Sequence, residues 1–289
     1  MTSPPGAAAL PDHYEGDVYV SPRHLAGATG MGDPGLQPAL DAGWETSGDD
    51  LGNAYISAPD HRIRIGFLPE GDDDALWKIA AYERAFAAPR WAAAFSDTCP
   101  EEFVSAFITE LVPLHETDGN AFLQSGIGYR RDASPALMPL LDAGWTVDEQ
   151  DRLLEVRSPD GLAGAWYDRR TLDHDRELVT NYTRWGMWGG ASYGRWYAVF
   201  SSHTPTRLIA ATAAALADPA PVVRWTGALS RNTLRHATIT RVRPPAPTPL
   251  DLARAHRPSP ALRTVAVPRW STSTPSARLP SFSRPAARR

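Results

Sequence analysis

The sequence contains the pentapeptide LDAGW twice, at residues 40–44 and 141–145. A second pair of related segments follows in the same order: RWAAAFSDTCP begins at Arg90 and RWYAVFSSHTP begins at Arg195. The two pairs are offset by 101 and 105 residues. Because two separate anchors recur in the same order at almost the same spacing, the sequence predicts that one structural unit has been duplicated.

Each copy has the pattern of an α+β unit. Apolar residues at helical spacing precede Gly43 and Gly144, and a glycine that accepts positive φ is typical of a helix C-terminus. Alternating apolar and polar residues then predict strands. Pro100 begins a second apolar stripe of helical period. The predicted fold is two tandem copies of helix, about four antiparallel strands and helix, packed as a pseudo-dimer.

The composition divides the chain into four parts. We expect a disordered N-terminus over residues 1–13, a first repeat over 14–115 and a second over 116–219. Residues 220–289 are rich in Arg and Pro and predict a mostly disordered tail, in which only residues 229–242 suggest a short helix or strand.

The charge is distributed unevenly between body and tail. Residues 1–219 carry 16 basic and 32 acidic residues, whereas residues 220–289 carry 13 Arg and one acid. A basic tail neutralises phosphates without needing a fold, so it is a candidate contact with nucleic acid. The alternative is a tail that is simply solvated or folds back on the acidic body. High-GC codon usage accounts for the excess of Arg, since Lys78 is the single lysine.

Several classes of protein are excluded by missing features. No apolar run approaches the roughly 18 residues that a membrane span needs, and the N-terminus lacks a signal-peptide core, which together predict a cytoplasmic protein. A single cysteine, Cys99, excludes an intrachain disulfide and a multi-cysteine metal site. Lys78 is followed by Ile79, so the phosphate-binding loop motif is absent.

Three short motifs are more simply read as structural. GASYG at residues 190–194 fits the G-x-S-x-G pattern, but a strand rather than a helix is predicted after it, so a hairpin loop is favoured over a nucleophile elbow. His174 lies between two aspartates without a second histidine at ligand spacing. GDDD at residues 71–74 lacks the alternating acids and the terminal Glu of a calcium loop, so a solvated hairpin loop is favoured. The sequence therefore predicts no catalytic, cofactor-binding or metal-ligating residues, and no cofactor.

Aromatic residues of the second anchor are candidates either for the core or for a nucleic-acid stacking platform. They alternate with small residues, as buried strand positions do, and the surrounding body is acidic. We therefore expect burial of Trp91, Phe95, Trp196 and Phe200.

Taken together, the segments VYVSPRHLAG, LDAGW, GNAYISAPDHRIRIGFLPEG, LWKI and RWAAAFSDTCPEE resemble the domain of unknown function 317 family of filamentous high-GC Gram-positive bacteria. The resemblance covers roughly residues 14–219 and continues more weakly to about 256. It implies a duplicated module without an assigned activity. The second copy is more divergent, because it lacks the LPEG and LWKI segments.

Two hypotheses for function remain open. The first is a non-catalytic binding or adaptor protein, in which the acidic body engages a protein partner and the tail contacts nucleic acid or that partner. The second is an enzyme of unrecognised type, such as a hydrolase, with its site between the repeats. A cleft with clustered His, Asp and Arg would favour the second hypothesis, and an exposed apolar patch would favour the first.

Overall fold

The computed structural model describes residues 14–71, 74–117, 119–125, 133–179 and 183–242. The six helices of this part are α1 (Asp33–Asp41), α2 (Glu101–Thr117), α3 (Ser134–Asp142), α4 (His174–Val179), α5 (Thr206–Ala217) and α6 (Arg231–His236). The strands are β1 (Asp17–Ser21), β2 (Glu45–Gly48), β3 (Ala54–Ser57), β4 (Ile63–Phe67), β5 (Ala75–Tyr82), β6 (Pro89–Ser96), β7 (Thr146–Glu149), β8 (Leu153–Arg157), β9 (Ala163–Asp168), β10 (Trp185–Gly189), β11 (Trp196–Phe200), β12 (Val222–Trp225) and β13 (Thr238–Arg241).

The two LDAGW segments end a helix in the same way. Gly43 and Gly144 follow α1 and α3 with φ of 74° and 81°, a conformation that glycine adopts without steric cost. The backbone N–H of Trp44 then donates to the carbonyl of Ala39 at 3.1 Å, and the second copy repeats this bond at the same distance. The predicted helix ends are confirmed.

The strands of both copies form one antiparallel sheet of ten strands, in the order β2-β3-β4-β5-β6-β11-β10-β9-β8-β7. The prediction of about four strands for each copy is therefore wrong, since each contributes five to a continuous sheet. Among the five are β2 and β7, which follow the tryptophans of the two LDAGW segments, where a strand was expected, and whose residues are all exposed. The two halves of the sheet join where β6 pairs with β11, for example at Phe95 and Ala198. Each of these strands would be an exposed edge in an isolated copy, and here each satisfies the backbone hydrogen bonds of the other.

One face of this sheet carries the core. Residues of α1, α2, α3 and α5 share a single apolar cluster with the inward residues of the strands. Trp91, Phe95 and Phe200 are 0% exposed and Trp196 is 2% exposed, so the predicted burial of all four is confirmed. Phe107 of α2 stacks on Phe200 with ring centroids 5.7 Å apart, which joins a helix of the first copy to a strand of the second.

Each copy docks a 3-10 turn onto the other. The turn Arg23–Leu25 precedes α1, yet the carbonyl of His24 accepts a hydrogen bond from Trp196 Nε1 of the second copy at 3.0 Å. The turn Ala121–Leu123 precedes α3, and the carbonyl of Phe122 accepts from Trp91 Nε1 of the first copy at 2.7 Å. The tryptophans of the two anchors thus play the same role in both halves.

A smaller sheet, in the order β12-β1-β13, joins the N-terminal strand to residues from the predicted tail. The body of the fold extends to Val242. The boundary expected at residue 220 therefore falls inside the folded part, and β12 forms outside the stretch for which a helix or strand was expected. Residues 1–13 and 243–289, for which disorder was predicted, lie outside the described residues.

Arg224 of β12 fastens this smaller sheet to the body. Its side chain is 4% exposed, and its Nη1 and Nη2 atoms donate to the two carboxylate oxygens of Glu102 at 2.7 Å each. Nε and Nη2 also donate to the carbonyl of Gly27, at 3.1 and 3.0 Å. This bidentate pair holds β12 to the body, although the composition of residues 220–289 resembles that of a disordered tail.

Across the described ranges, the longest apolar helices are too short or too polar to traverse a bilayer.

Candidate functional site

The motifs singled out in the sequence lie in different parts of the described fold. Residues 190–194 make the turn between β10 and β11, so the serine of GASYG lies in a hairpin, as expected, and not on a strand-to-helix elbow. Cys99 is fully buried, and burial raises the pKa of its thiol well above the ordinary value, with Glu101 and Glu102 adding to the effect. Residues 72 and 73 of the GDDD segment lie outside the described residues.

His174 has a neighbour that the sequence did not predict. The ring of His203, which follows β11, lies against it with centroids 4.7 Å apart. Burial lowers the pKa of His203 to about 4, and the positive charges of Arg90, His174 and Arg184 act in the same direction. His203 is therefore neutral at pH 7. Within the part of the chain that is described, no group of three or more His, Cys, Asp or Glu side chains is arranged to hold a metal ion.

The sheet face opposite the core helices bears a groove of about 510 Å³. Its floor is made of small residues on β4, β5 and β6: Gly66, Ala80, Ala92 and Ala94. One rim carries aromatic and cationic side chains, namely Tyr55, Arg64, Lys78 and Tyr82, and the other rim is α4 with Glu177, Leu178 and Val179. The groove thus lies on strands of the first copy and is bounded by a helix of the second.

The equivalent face of the second copy is filled by its own side chains. Cross-strand partners in both copies combine one large side chain with one small residue. These pairs are Lys78 with Gly66 and Arg64 with Ala80 in the first copy, and Trp166 with Gly186 and Trp188 with Gly164 in the second.

The two tryptophans lie directly over their glycine partners. A Cβ atom placed on Gly186 would be 1.9 Å from the Trp166 ring, and one on Gly164 would be 2.7 Å from Nε1 of Trp188. The guanidinium of Arg195 covers the other face of Trp188 at 4.2 Å from the ring centroid, which leaves that tryptophan 7% exposed. The second copy therefore carries two rings at positions where the first has Ala80 and Gly66, and glycines at positions where the first has Arg64 and Lys78.

The cationic rim is held in place by local contacts. The Arg64 guanidinium lies 5.0 Å from the centroid of the Tyr82 ring, and its Nη2 donates to the carbonyl of Ala85 at 2.8 Å. Lys78 is exposed on the neighbouring strand. Arg64 is therefore oriented before any ligand arrives, which lowers the entropic cost of binding.

The wall formed by α4 is fixed by a buried carboxylate. Glu177 is 4% exposed and accepts from the backbone N–H of Arg184 at 2.9 Å and of Ser202 at 3.2 Å. The Arg184 side chain donates to the carbonyls of Asp168 and Arg170, both at 2.7 Å. These bonds use the charged groups for structure and hold α4 against the sheet.

Exposed apolar residues surround the groove. Val179 at the end of α4 is 82% exposed, and Tyr55 is 41% exposed. Phe86, in the turn between β5 and β6, is 97% exposed. Large apolar groups in contact with water next to a concave surface are typical of an interaction site.

The model of the SPDY family, a domain of unknown function (DUF317), matches residues 57–115 and 157–222. The predicted resemblance is confirmed. The two DUF317 segments support the tandem duplication, because each begins next to a Pro-Asp turn, at Asp60 and at Asp160, and each continues past a copy of the RWxAxFS anchor. No curated protein and no solved structure matches the chain.

The DUF317 segments contain the groove. The first holds its floor and Arg64, Lys78 and Tyr82, and the second holds α4 and the two tryptophans that fill the other half. Reasoning from sequence missed this site because it sought catalytic motifs. A usable signal was present: the outward positions of β5 and β6 at Ala80, Ala92 and Ala94 are alanines, where a solvent-facing strand ordinarily carries polar residues.

Proposed function

We propose that the chain is a non-catalytic binding or adaptor protein that engages a partner protein through the face of its ten-stranded sheet that is opposite the core helices. The observation that carries this proposal is the groove, which is open on the first copy and filled by Trp166 and Trp188 on the second. Val179 at its rim, and Phe86 in the turn that joins two of its strands, are exposed apolar residues of the kind that an adaptor requires.

We further propose that the two copies act as a pseudo-dimer in which one half has kept a binding face. Three features support it: the mirrored strand order, the junction of β6 with β11, and the exchanged 3-10 turns. Because α4 of the second copy forms one rim of a groove in the first, neither copy makes the site alone.

The basic segment beyond the body has a separate role in this proposal. Residues 220–289 contain 13 Arg, but one of these, Arg224, is used inside the fold. We propose that the arginines after Val242 contact nucleic acid, so that the chain links a protein partner to a polyanion.

One observation favours the alternative, an enzyme with its site between the repeats. His174 and His203 meet near the junction of the copies, beside Arg184. The pKa of His203, lowered to about 4, leaves this imidazole able to accept a proton at pH 7 but only as a weak base. The bonds of Arg184 and Glu177 are directed to backbone groups, however, and this arrangement serves to fix α4.

A photo-crosslinking amino acid in place of Tyr55 tests the binding function. In the full-length chain, irradiation in a lysate of the host cell should attach one protein at this position. The same substitution at Val223, which is 46% exposed on β12, is the matched control. Ala80→Trp in the Tyr55-labelled chain should remove the adduct, because it fills the groove. Identical adducts at both positions, or an adduct that persists with Ala80→Trp, would contradict the proposal.

A further inference from the structure

We infer that the groove binds an aromatic side chain of the partner protein, presented on a short segment with acidic residues beside it. This inference rests on the proposed binding function and adds the chemistry of the occupant.

The second copy shows which groups this sheet surface accommodates. Trp166 and Trp188 lie flat on glycines of the neighbouring strand. The cation of Arg195 closes over one of these rings at 4.2 Å. The fold therefore contains an internal example of an indole between a small-residue floor and a guanidinium.

The first copy has small residues at the positions of both rings, and cations at the positions of the two glycines beneath them. Ala80 occupies the register position that corresponds to Trp188, and Gly66 the one that corresponds to Trp166. Arg64 is held next to Ala80 by its contacts with Tyr82 and with the carbonyl of Ala85. A volume of about 510 Å³ is ample for an aromatic side chain, which would lie over Ala80 next to the Arg64 guanidinium.

The charge at the rim of the groove favours acidic residues beside the aromatic side chain of the partner. Arg64 and Lys78 line one side of the groove, while the carboxylate of Glu177 on the other side is engaged by backbone N–H groups. The nearest fields are therefore positive. At physiological ionic strength charges are screened over about 8 Å, so a short acidic segment responds to this rim and not to the acidic body as a whole.

The same argument disfavours two other occupants. A nucleic acid strand extends well beyond the screening length and would run across a body with 32 acidic residues in positions 1–219. The chain's own basic segment would bring arginines against Arg64 and Lys78. Both occupants predict binding that differs measurably from that of an acidic, aromatic peptide.

The test uses fluorescence anisotropy with the full-length chain and a labelled peptide of sequence Gly-Glu-Asp-Trp-Glu-Asp-Gly. The comparison peptides are the same peptide with Ala in place of Trp, and a basic peptide with Lys in place of each acid. Unlabelled competitors are an oligothymidylate and a peptide of residues 262–276. We expect saturable binding of the acidic Trp peptide, at least about tenfold weaker binding of the Ala peptide, and no binding of the basic one.

Variants locate the binding in the groove. Ala80→Trp should weaken binding of the Trp peptide by about tenfold or more. Lys78→Glu should weaken it by about three- to fivefold, which is the effect of an exposed charge pair. Val223→Trp adds the same side chain at a remote exposed strand position and should change nothing. If Ala80→Trp does not fold, the exposed position 78 still provides the test.

Each outcome has a definite meaning. Equal binding of the Trp and Ala peptides, stronger binding of the basic peptide or of residues 262–276, or displacement by oligothymidylate would overturn the inference. If no peptide binds while the Tyr55 adduct with a protein still disappears in Ala80→Trp, the binding function stands and the occupant chemistry is wrong. If the adduct is absent as well, both fail.

Discussion

Replacing Arg224 by Ala is expected to destabilise the body strongly, because this arginine compensates two carboxylates. Glu102 accepts both of its Nη atoms at 2.7 Å. Glu101, only 2% exposed, has its Oε2 atom without a hydrogen-bond partner at 3.8 Å from Nη2 of Arg224. Removing the arginine takes the nearby cation from the buried carboxylate of Glu101, which keeps the hydrogen bonds that its Oε1 accepts from Thr29 and Gly30. It also frees the carbonyl of Gly27.

Breaking a buried ion pair from one side costs about 3–5 kcal/mol. Glu102→Ala should cost less, about 1–3 kcal/mol, because the Glu102 side chain is 30% exposed and Arg224 keeps the carbonyl of Gly27 and the nearby Glu101. For a body of this size each kcal/mol lowers Tm by about 2–4 °C, so Arg224→Ala should lower Tm by roughly 6–20 °C.

The assay is thermal unfolding followed by circular dichroism, with Arg157→Ala as the matched control. Arg157 also lies 2.7 Å from a carboxylate, that of Glu155, but its side chain is 52% exposed, so its loss should cost less than about 1 kcal/mol. Equal, small shifts in Tm for the two arginine variants would refute the claim that β12 is fastened to the body by a buried ion pair.

Four other predictions follow from the structure. Trp91→Ala, at a position that is 0% exposed, should cost about 3–5 kcal/mol in chemical denaturation, and a melt that barely moves would contradict its place in the core. DNA binding by the full-length chain should weaken steeply with salt and be lost in a chain that ends at Val242; equal binding by the two chains would remove the role proposed for the arginines beyond Val242. Because the pKa of His203 is lowered to about 4 in the folded state, its contribution to stability is present above pH 6.5 and declines as the pH falls toward 4; His203→Gln should flatten this part of the stability profile, and an unchanged profile would show that the histidine is not buried as a neutral group. Phe86→Ala should reduce capture of the partner while Tyr193→Ala, at the corresponding hairpin of the second copy and 88% exposed, should not.

The duplication, the helix ends and the burial of the anchor aromatics were readable from the sequence. They depend on local chemistry: the glycine after LDAGW must take positive φ, and a strand with one buried face must alternate. The absence of a recognisable catalytic motif was equally readable, since such motifs are defined by short spacings.

The number of strands, the continuous sheet and the groove were decided by tertiary structure. The exposed strands β2 and β7 show no alternation, and their pairing with β3 and β8 brings the number of strands to five in each copy. In the sequence Arg224 belongs to the basic tail. Only the fold places its guanidinium against the carboxylate of Glu102, 122 residues earlier. Neither Ala80 nor Trp188 stands out in the sequence. The structure shows that they occupy equivalent positions, because β5 and β10 take corresponding places in one sheet. Contacts between residues this far apart depend on the packing of the whole chain, which periodicity within a short window does not encode.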